Sequence, residues 1–204
     1  GSASAAYQVE GAYLEDGKGL SNWDQFVRIE GKTYKGTTGD VAVDHYHRFK
    51  EDVKLMAEMG LKTYRFSISW PRVIPTGNGE VNEAGLKFYE DLIDECLKYN
   101  IEPMVTIFHW DLPQALVDQY NGFEDRRIID DFVNYSKVLF ERFGSKVKYW
   151  ITLNEQNVFT SLGWLTAMHP PGKFNDEKTF YQANHHAFMA HAKTVLLFKQ
   201  MIQS

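Results

Sequence analysis

The stretch LKTYRFSISW, at residues 61–70, is a β-strand signal that decides the fold class. Aromatic and branched residues favour strands, and here they alternate with polar ones, so Tyr64 and Phe66 lie on one side and Arg65 on the other. The apolar side suits packing against helices, while the opposite side becomes polar toward the carboxyl end. The pattern predicts a strand covered by helices, with polar groups near its end.

Segments with a helical period alternate with strands on both sides of this stretch. A helix over about residues 44–59 ends at Gly60, a residue suited to the left-handed stop that precedes the strand. The elements predicted after it are a helix from Asn82 to Asn100 with the apolar stripe Leu86, Tyr89, Ile93 and Leu97, strand 101–108, a helix with a stripe from Ile128 to Phe143, strand 147–153, a long loop containing HPPG at 169–172, and a helix over about 178–201. Repeated helix, short turn and strand predict parallel strands joined by crossover helices.

Two architectures have this layout, the doubly wound open sheet and the (β/α)₈ TIM barrel. No glycine-rich phosphate loop follows any strand, whereas His109 and Asn154-Glu155 stand at strand ends, where barrels build their sites. We therefore favour the barrel. The predicted strands start at residues 61, 101 and 147, so eight such units exceed 204 residues. We expect residues 1–204 to form the first half of a barrel, about four βα units, with residues 1–6 ending a strand that starts earlier.

Composition excludes several classes of protein. Hydrophobic residues make up 44% and charged residues 24%, as in globular proteins, and the net charge of −5 argues against a nucleic-acid partner. No apolar run is long enough to span a membrane, and no export signal is visible. The single cysteine, Cys96, excludes an intramolecular disulfide framework. We expect a cytoplasmic protein without a membrane partner.

Four polar residues near predicted strand ends are candidates for chemistry. Glu155, beside Asn154, can act as a general acid or base, although a surface glutamate opening a loop fits the pattern equally well. His109 holds the equivalent place after the preceding strand, where a histidine is more often a core or rim residue than a ligand. Gln8 follows the first strand and can bind vicinal hydroxyls. Arg65 would point into the barrel, and no obvious carboxylate partner for it exists in this chain.

A metal site is not expected from the histidine spacing. His45 and His47 stand two apart on a helix and cannot share a face, and His186 and His191 are not one helical turn apart. We predict no metal and no cofactor.

Four ordered motifs carry a specific resemblance to a known family. They are AAYQVEGA at residues 5–12, YRFSISWPR at 64–72, FHWDLP at 108–113 and TLNE at 152–155. With them the chain resembles the N-terminal half of glycoside hydrolase family 1, the β-glucosidases and 6-phospho-β-glycosidases. The resemblance implies a retaining hydrolase that needs no cofactor, with Glu155 as the acid/base residue.

The resemblance also implies roles for the other candidates. Gln8, His109 and Asn154 would bind hydroxyls of the sugar next to the cleaved bond, and Trp110 would line the same pocket. Arg65 would hold the carboxylate of the nucleophile, a second glutamate whose motif does not occur in this chain. These 204 residues are therefore expected to be inactive alone.

Several functional readings stay open. Most members of the family have proline after the acid/base residue, whereas this chain has Gln156, and the run NEQNVF at 154–159 is similar to that of the bacterial 6-phospho-β-glycosidases. The expected enzyme is therefore a 6-phospho-β-glucosidase or 6-phospho-β-galactosidase, acting on a 6-phosphorylated β-linked disaccharide or aryl glycoside. The alternatives are a β-glucosidase acting on unphosphorylated sugars, a non-catalytic sugar-binding or scaffold fragment, and a different barrel enzyme such as an isomerase or aldolase. Half a barrel has two unpaired sheet edges, so self-association or pairing with a C-terminal half-barrel is also expected.

Overall fold

A computed structural model describes residues 1–202 as a sheet of parallel strands covered by helices. The strands pair in chain order, which places each one beside the next along the sequence. They are β1 (Ser2–Ala3), β2 (Thr63–Ser67), β3 (Glu102–Phe108) and β4 (Tyr149–Leu153). Parallel neighbours in sequential order are the topology expected of consecutive βα units.

The helices alternate with these strands. They are α1 (Ala6–Val9), α2 (Asn22–Phe26), α3 (His45–Glu58), α4 (Trp70–Val73), α5 (Glu83–Lys98), α6 (Gln114–Tyr120), α7 (Arg127–Phe143), α8 (Gln156–Trp164) and α9 (Glu177–Ile202). The long helices α3, α5 and α7 each precede a strand, as the sequence predicts. Gly60 and Asn100, which end two of these units, have φ of +78° and +55°, the left-handed conformation that stops a helix.

The core lies between the sheet and the helices. The apolar side of β2 and its extension, from Tyr64 to Trp70, is buried. Trp70 stacks on Tyr135 of α7 with ring centroids 4.8 Å apart. The Tyr135 hydroxyl lies 3.1 Å from the carbonyl oxygen of Ile68 and 3.0 Å from that of Ile107, and it can donate to either. Helix α7 is thereby fixed against β2 and β3 at the edge where both strands end.

The structure corrects four details of the predicted elements. Trp70 begins helix α4 instead of ending the strand, and α8 occupies the first part of the predicted loop after β4. The predicted apolar stripe of α5 ended at Leu97, but Leu97 is 39% exposed and Cys96 is fully buried. The buried face passes from Ile93 to Cys96, a step of three residues. Asn82 precedes α5 as predicted, but its side chain makes no capping bond.

One further property concerns membranes. In residues 1–202, no helix combines the length and the apolar character needed to cross a bilayer.

Candidate active site

The predicted functional residues lie at one edge of the sheet. Gln8 is in α1, directly after β1, and His109 directly follows β3. Asn154 and Glu155 directly follow β4, and Arg65 lies within β2. Because the strands are parallel, their carboxyl ends meet at the same edge, which is where barrel enzymes carry their sites.

Asn154 is the centre of a hydrogen-bond network that joins three strands. Arg65 Nη2 donates to its Oδ1 at 2.5 Å, and Arg65 Nε donates to Thr106 Oγ1 at 2.9 Å. Trp110 Nε1 donates to the Asn154 carbonyl oxygen at 2.8 Å. The side chain is buried, and its Nδ2 lies 3.5 Å from Glu155 Oε2, a long hydrogen bond. Asn154 is thus held by β2 and β3 while its amide faces the exposed carboxylate of Glu155.

Arg65 makes no hydrogen bond to a carboxylate within the described residues, in agreement with the sequence, which offers no obvious carboxylate partner for it. Its hydrogen bonds go to the neutral acceptors Thr106 and Asn154. The side chain is only half-buried, so water can solvate part of its charge. Whether it also holds a nucleophile stays a prediction.

Two of these residues adopt a backbone conformation that L-residues rarely take. Trp110 has φ of +78°, and Glu155 has φ of +43° and ψ of +61° at the start of α8. Such conformations cost on the order of 1–3 kcal/mol and persist where the surroundings impose them. Here the bond from Trp110 to the Asn154 carbonyl oxygen connects the two turns. The strained turns direct Trp110 and Glu155 away from the ordinary path of a strand leading into a helix.

An open cleft of about 400 Å³ lies beside the network and is lined by Gln8, His109 and Trp110, among others. Its wall is a continuous series of ring contacts, with centroids 4.9–5.9 Å apart, that runs through Tyr7, Trp23, His169, Trp110 and His109. Flat apolar faces of this kind suit stacking against sugar rings. Sequence reasoning assigned no role to Tyr7, Trp23 and His169, although Tyr7 lies in the AAYQVEGA motif and His169 begins HPPG.

The environment of His109 keeps its imidazole neutral. Burial, with a smaller contribution from the nearby Arg65 cation, lowers the pKa of His109 to about 4. A neutral imidazole has one donor and one acceptor nitrogen, which suits a hydroxyl group. Its Nδ1 is buried and makes no hydrogen bond within residues 1–202.

We expect His109 to titrate near pH 4 in an NMR titration of the histidine ring signals. His47 is the internal control, because it is half-exposed and its hydrogen bond to Asp44 raises its pKa above 6.5. The variant Arg65→Met should raise the pKa of His109 by removing the cation. Since the unfolded imidazole has a pKa of 6.5, His109 makes the protein less stable as the pH falls from 6.5 toward about 4. A His109 midpoint at or above that of His47 would contradict this account.

Metal binding has no visible basis in the part of the chain that the structure describes. No three histidine, cysteine, aspartate or glutamate side chains there lie together in a way that could hold an ion.

Comparisons with known proteins agree with this arrangement. The chain is 65% identical over 202 residues to the aryl-phospho-β-D-glucosidase BglC of Bacillus subtilis (strain 168), covering 99% of this chain and 42% of that protein. It is 49% identical over 201 residues to β-glucosidase A of Acetivibrio thermocellus, covering 98% of this chain and 44% of that protein. The chain therefore spans less than half the length of these relatives.

Solved structures give the same result for the fold. The chain matches a rice β-glucosidase, solved in a covalent complex with Glc, with a TM-score of 0.96 and 45% identity over 98% of this chain and 44% of that one. It matches the family 1 β-glucosidase from Thermotoga maritima with a TM-score of 0.95 and 49% identity, over 98% of this chain and 45% of that one. The expected α/β fold, the N-terminal half of a TIM barrel, is confirmed. The family model for glycosyl hydrolase family 1 matches residues 1–204, and the chain belongs to that family.

Proposed function

We propose that the protein carrying this sequence is a retaining β-glycoside hydrolase that acts on aryl β-glucosides phosphorylated at the 6-position. The observation that carries the proposal is the position of Glu155, exposed at the end of β4 beside the buried amide of Asn154. A carboxyl group in this place can protonate the oxygen of a glycosidic bond. We assign it the role of acid and base.

The reaction has two steps in this proposal. Glu155 donates its proton to the leaving oxygen while a second carboxylate attacks the anomeric carbon, which forms a covalent glycosyl-enzyme. Glu155 then takes a proton from water while the water oxygen attacks the anomeric carbon, which breaks the bond to the second carboxylate and releases the sugar. Retaining enzymes hold the two carboxyl groups roughly 5–5.5 Å apart. The second carboxylate would come from the part of the barrel beyond this chain, held by Arg65.

The sugar would be bound by neutral groups. Asn154 has its Oδ1 engaged with Arg65, which leaves its Nδ2 for Glu155 and for a sugar hydroxyl. Gln8 and the neutral His109 line the adjoining cleft, and Trp110 supplies an apolar face there. These contacts distinguish hydroxyl positions without adding charge to the site.

Support for a phosphorylated substrate comes from the relatives. The 65%-identical protein is an aryl-phospho-β-D-glucosidase, whereas relatives at 44–49% identity are named as glucosidases without a phosphate. Gln156 itself does not supply a phosphate contact, because its Nε2 donates to Asn184 Oδ1 at 2.8 Å and connects α8 to α9. An unphosphorylated β-glucoside is therefore the second candidate, favoured by the larger number of named glucosidases.

The test is an assay of the natural polypeptide with 4-nitrophenyl β-D-glucoside and its 6-phosphate ester. We expect the phosphate ester to have a kcat/KM at least about tenfold higher, because each tenfold step requires only about 1.4 kcal/mol of additional binding in the transition state. Faster turnover of the unphosphorylated glucoside would support the second candidate. Tight sugar binding without turnover of either compound would instead favour a non-catalytic sugar-binding protein.

We further propose that residues 1–204 form one half of a single barrel domain, which predicts the behaviour of these residues expressed alone. Beside β1, an apolar groove contains Val43, Leu55 and Met59, of which Met59 is 76% exposed. Exposed apolar surface next to an unpaired strand promotes association. We expect oligomers and no turnover, measured by light scattering and the assay above. Met59→Lys should reduce the association, while the control Val81→Lys should not; a monomer with full activity would contradict the prediction.

A further inference from the structure

A small cavity adjoins the cleft, among the chain segments that follow β1, β2 and β3. Its volume of about 10 Å³ is enough for one water molecule. The charged and polar lining includes Lys18, Asp24, Ser69, Arg72 and Asp111. Apart from Lys18, these residues are at least 98% buried.

Two ion pairs neutralise most of the charge around this cavity. Arg72 Nε lies 3.0 Å from Glu10 Oε2, and Lys18 Nζ lies 3.1 Å from Asp24 Oδ2. Asp111 is the carboxyl group left over. Burial, together with the charge of Glu10, raises the pKa of Asp111 to about 8, against smaller opposing effects that include the Ser69 hydroxyl and the Lys18 cation. Asp111 is therefore protonated at neutral pH.

Four buried polar atoms of the lining make no hydrogen bond of full geometry within residues 1–202. They are Asp24 Oδ1, Arg72 Nη1 and both carboxyl oxygens of Asp111. A protonated Asp111 contributes one donor atom and one acceptor atom, so with Arg72 Nη1 and Asp24 Oδ1 the group offers two donor atoms and two acceptor atoms. One water molecule can make two bonds of each kind. An ionised Asp111 would instead leave three acceptors, which the two hydrogens of a single water cannot satisfy.

We propose that this cavity is a built site for one ordered water molecule bound by Asp24, Arg72 and Asp111, and that the cluster fixes the position of Gln8 relative to His109. The second part rests on the proposed function. Asp111 follows His109 by two positions, and Glu10, the partner of Arg72, follows Gln8 by two positions. Glu10 and Asp111 line the same cavity, so the cluster connects the two segments that we assign to sugar binding, and Asp111 is a positioning residue.

The water site is tested by a high-resolution crystal structure of the natural polypeptide. We expect one water peak within hydrogen-bond distance of Arg72 Nη1, Asp24 Oδ1 and Asp111. Direct contacts among these side chains with no molecule between them would overturn the proposal, as would a peak with the short distances of a metal ion.

The protonation of Asp111 is tested by infrared spectroscopy at pH 7. We expect an absorption band of a protonated carboxyl group that disappears in Asp111→Asn and remains in the control Asp52→Asn, whose carboxyl is partly exposed and bonded to His45. Identical spectra of the wild type and Asp111→Asn would overturn the assignment. Both measurements are independent of hydrolysis, so their failure differs from a failure of the proposed function.

The positioning role is tested by a double-mutant cycle between Asp111→Ala and His109→Ala. We expect each substitution alone to lower kcat/KM about tenfold. Independent effects would lower kcat/KM of the double variant about a hundredfold, but the loss should be far smaller because the effects of coupled residues are not additive. Ser136→Ala, which removes a buried hydroxyl bonded within α7, is the control and should add independently to His109→Ala. Additive losses for Asp111 would refute the role. Asp111→Asn keeps a donor and an acceptor, so it should behave like the wild type; a loss equal to that of Asp111→Ala would also refute it.

Discussion

Glu155→Gln should lower kcat/KM of the natural polypeptide by about a hundredfold to ten-thousandfold, the range that positioned proton transfer contributes. Glutamine has nearly the same shape and can still bond to Asn154, so the fold and the sugar contacts should remain. The loss should be larger for an alkyl glycoside than for a 4-nitrophenyl glycoside, because a poor leaving group depends more on protonation. Steady-state kinetics with the two substrates measures the difference.

A matched control and a rescue experiment distinguish loss of chemistry from loss of structure. Glu58→Gln changes an exposed glutamate at the end of α3, where it makes only a 3.8 Å contact with Lys54, and should leave the kinetics unchanged. A small anion such as azide needs no general base, so it should restore turnover of the 4-nitrophenyl substrate by Glu155→Gln. If Glu155→Gln retained more than about a tenth of the wild-type kcat/KM, Glu155 would not be the acid and base.

The long elements of this fold were predictable because their periods are strong. The stripe from Ile128 to Phe143 falls every three or four residues, and α7 buries all of it. The segments that were missed are short, or follow turns of unusual conformation. Helix α8 begins directly after Glu155. The left-handed backbone conformation of Glu155 separates β4 from α8, so the strand period and the helix period do not join into one recognisable pattern.

The candidate site divides in the same way. Polar residues after strands are visible in the sequence because a parallel sheet brings all strand ends to one edge. The aromatic wall is not visible, since Trp23 and His169 meet across more than half of the chain. The hydrogen-bond acceptors of Arg65 were also missed. Thr106 and Asn154 are neutral, whereas the expected acceptor of a buried guanidinium is a carboxylate.

Arg72→Met should destabilise the natural polypeptide by about 3–5 kcal/mol, measured as the free energy of unfolding in urea. Arg72 is 1% exposed, pairs with Glu10 at 3.0 Å, and lies over the Tyr46 ring at 4.3 Å. Methionine preserves much of the apolar volume but leaves the carboxylate of Glu10 buried with only the Tyr89 hydroxyl as a neutral donor. An uncompensated buried charge is the costly outcome of breaking such a pair.

The double variant Glu10→Gln/Arg72→Met separates the charge from the packing. Removing both charges removes the uncompensated carboxylate, so it should recover a large part of the stability lost in Arg72→Met, even though it lacks the ion pair. Arg127→Met is the control, because that arginine is 63% exposed and its pair with Asp125 should contribute little to stability. If the double variant were less stable than Arg72→Met, the pair would act through its shape and hydrogen bonds and not through charge neutralisation. Glu10 lies two positions after Gln8, and Arg72 lines the cavity beside the cleft. If the double variant recovered stability but not kcat/KM, this pair would also orient the sugar-binding edge of the sheet.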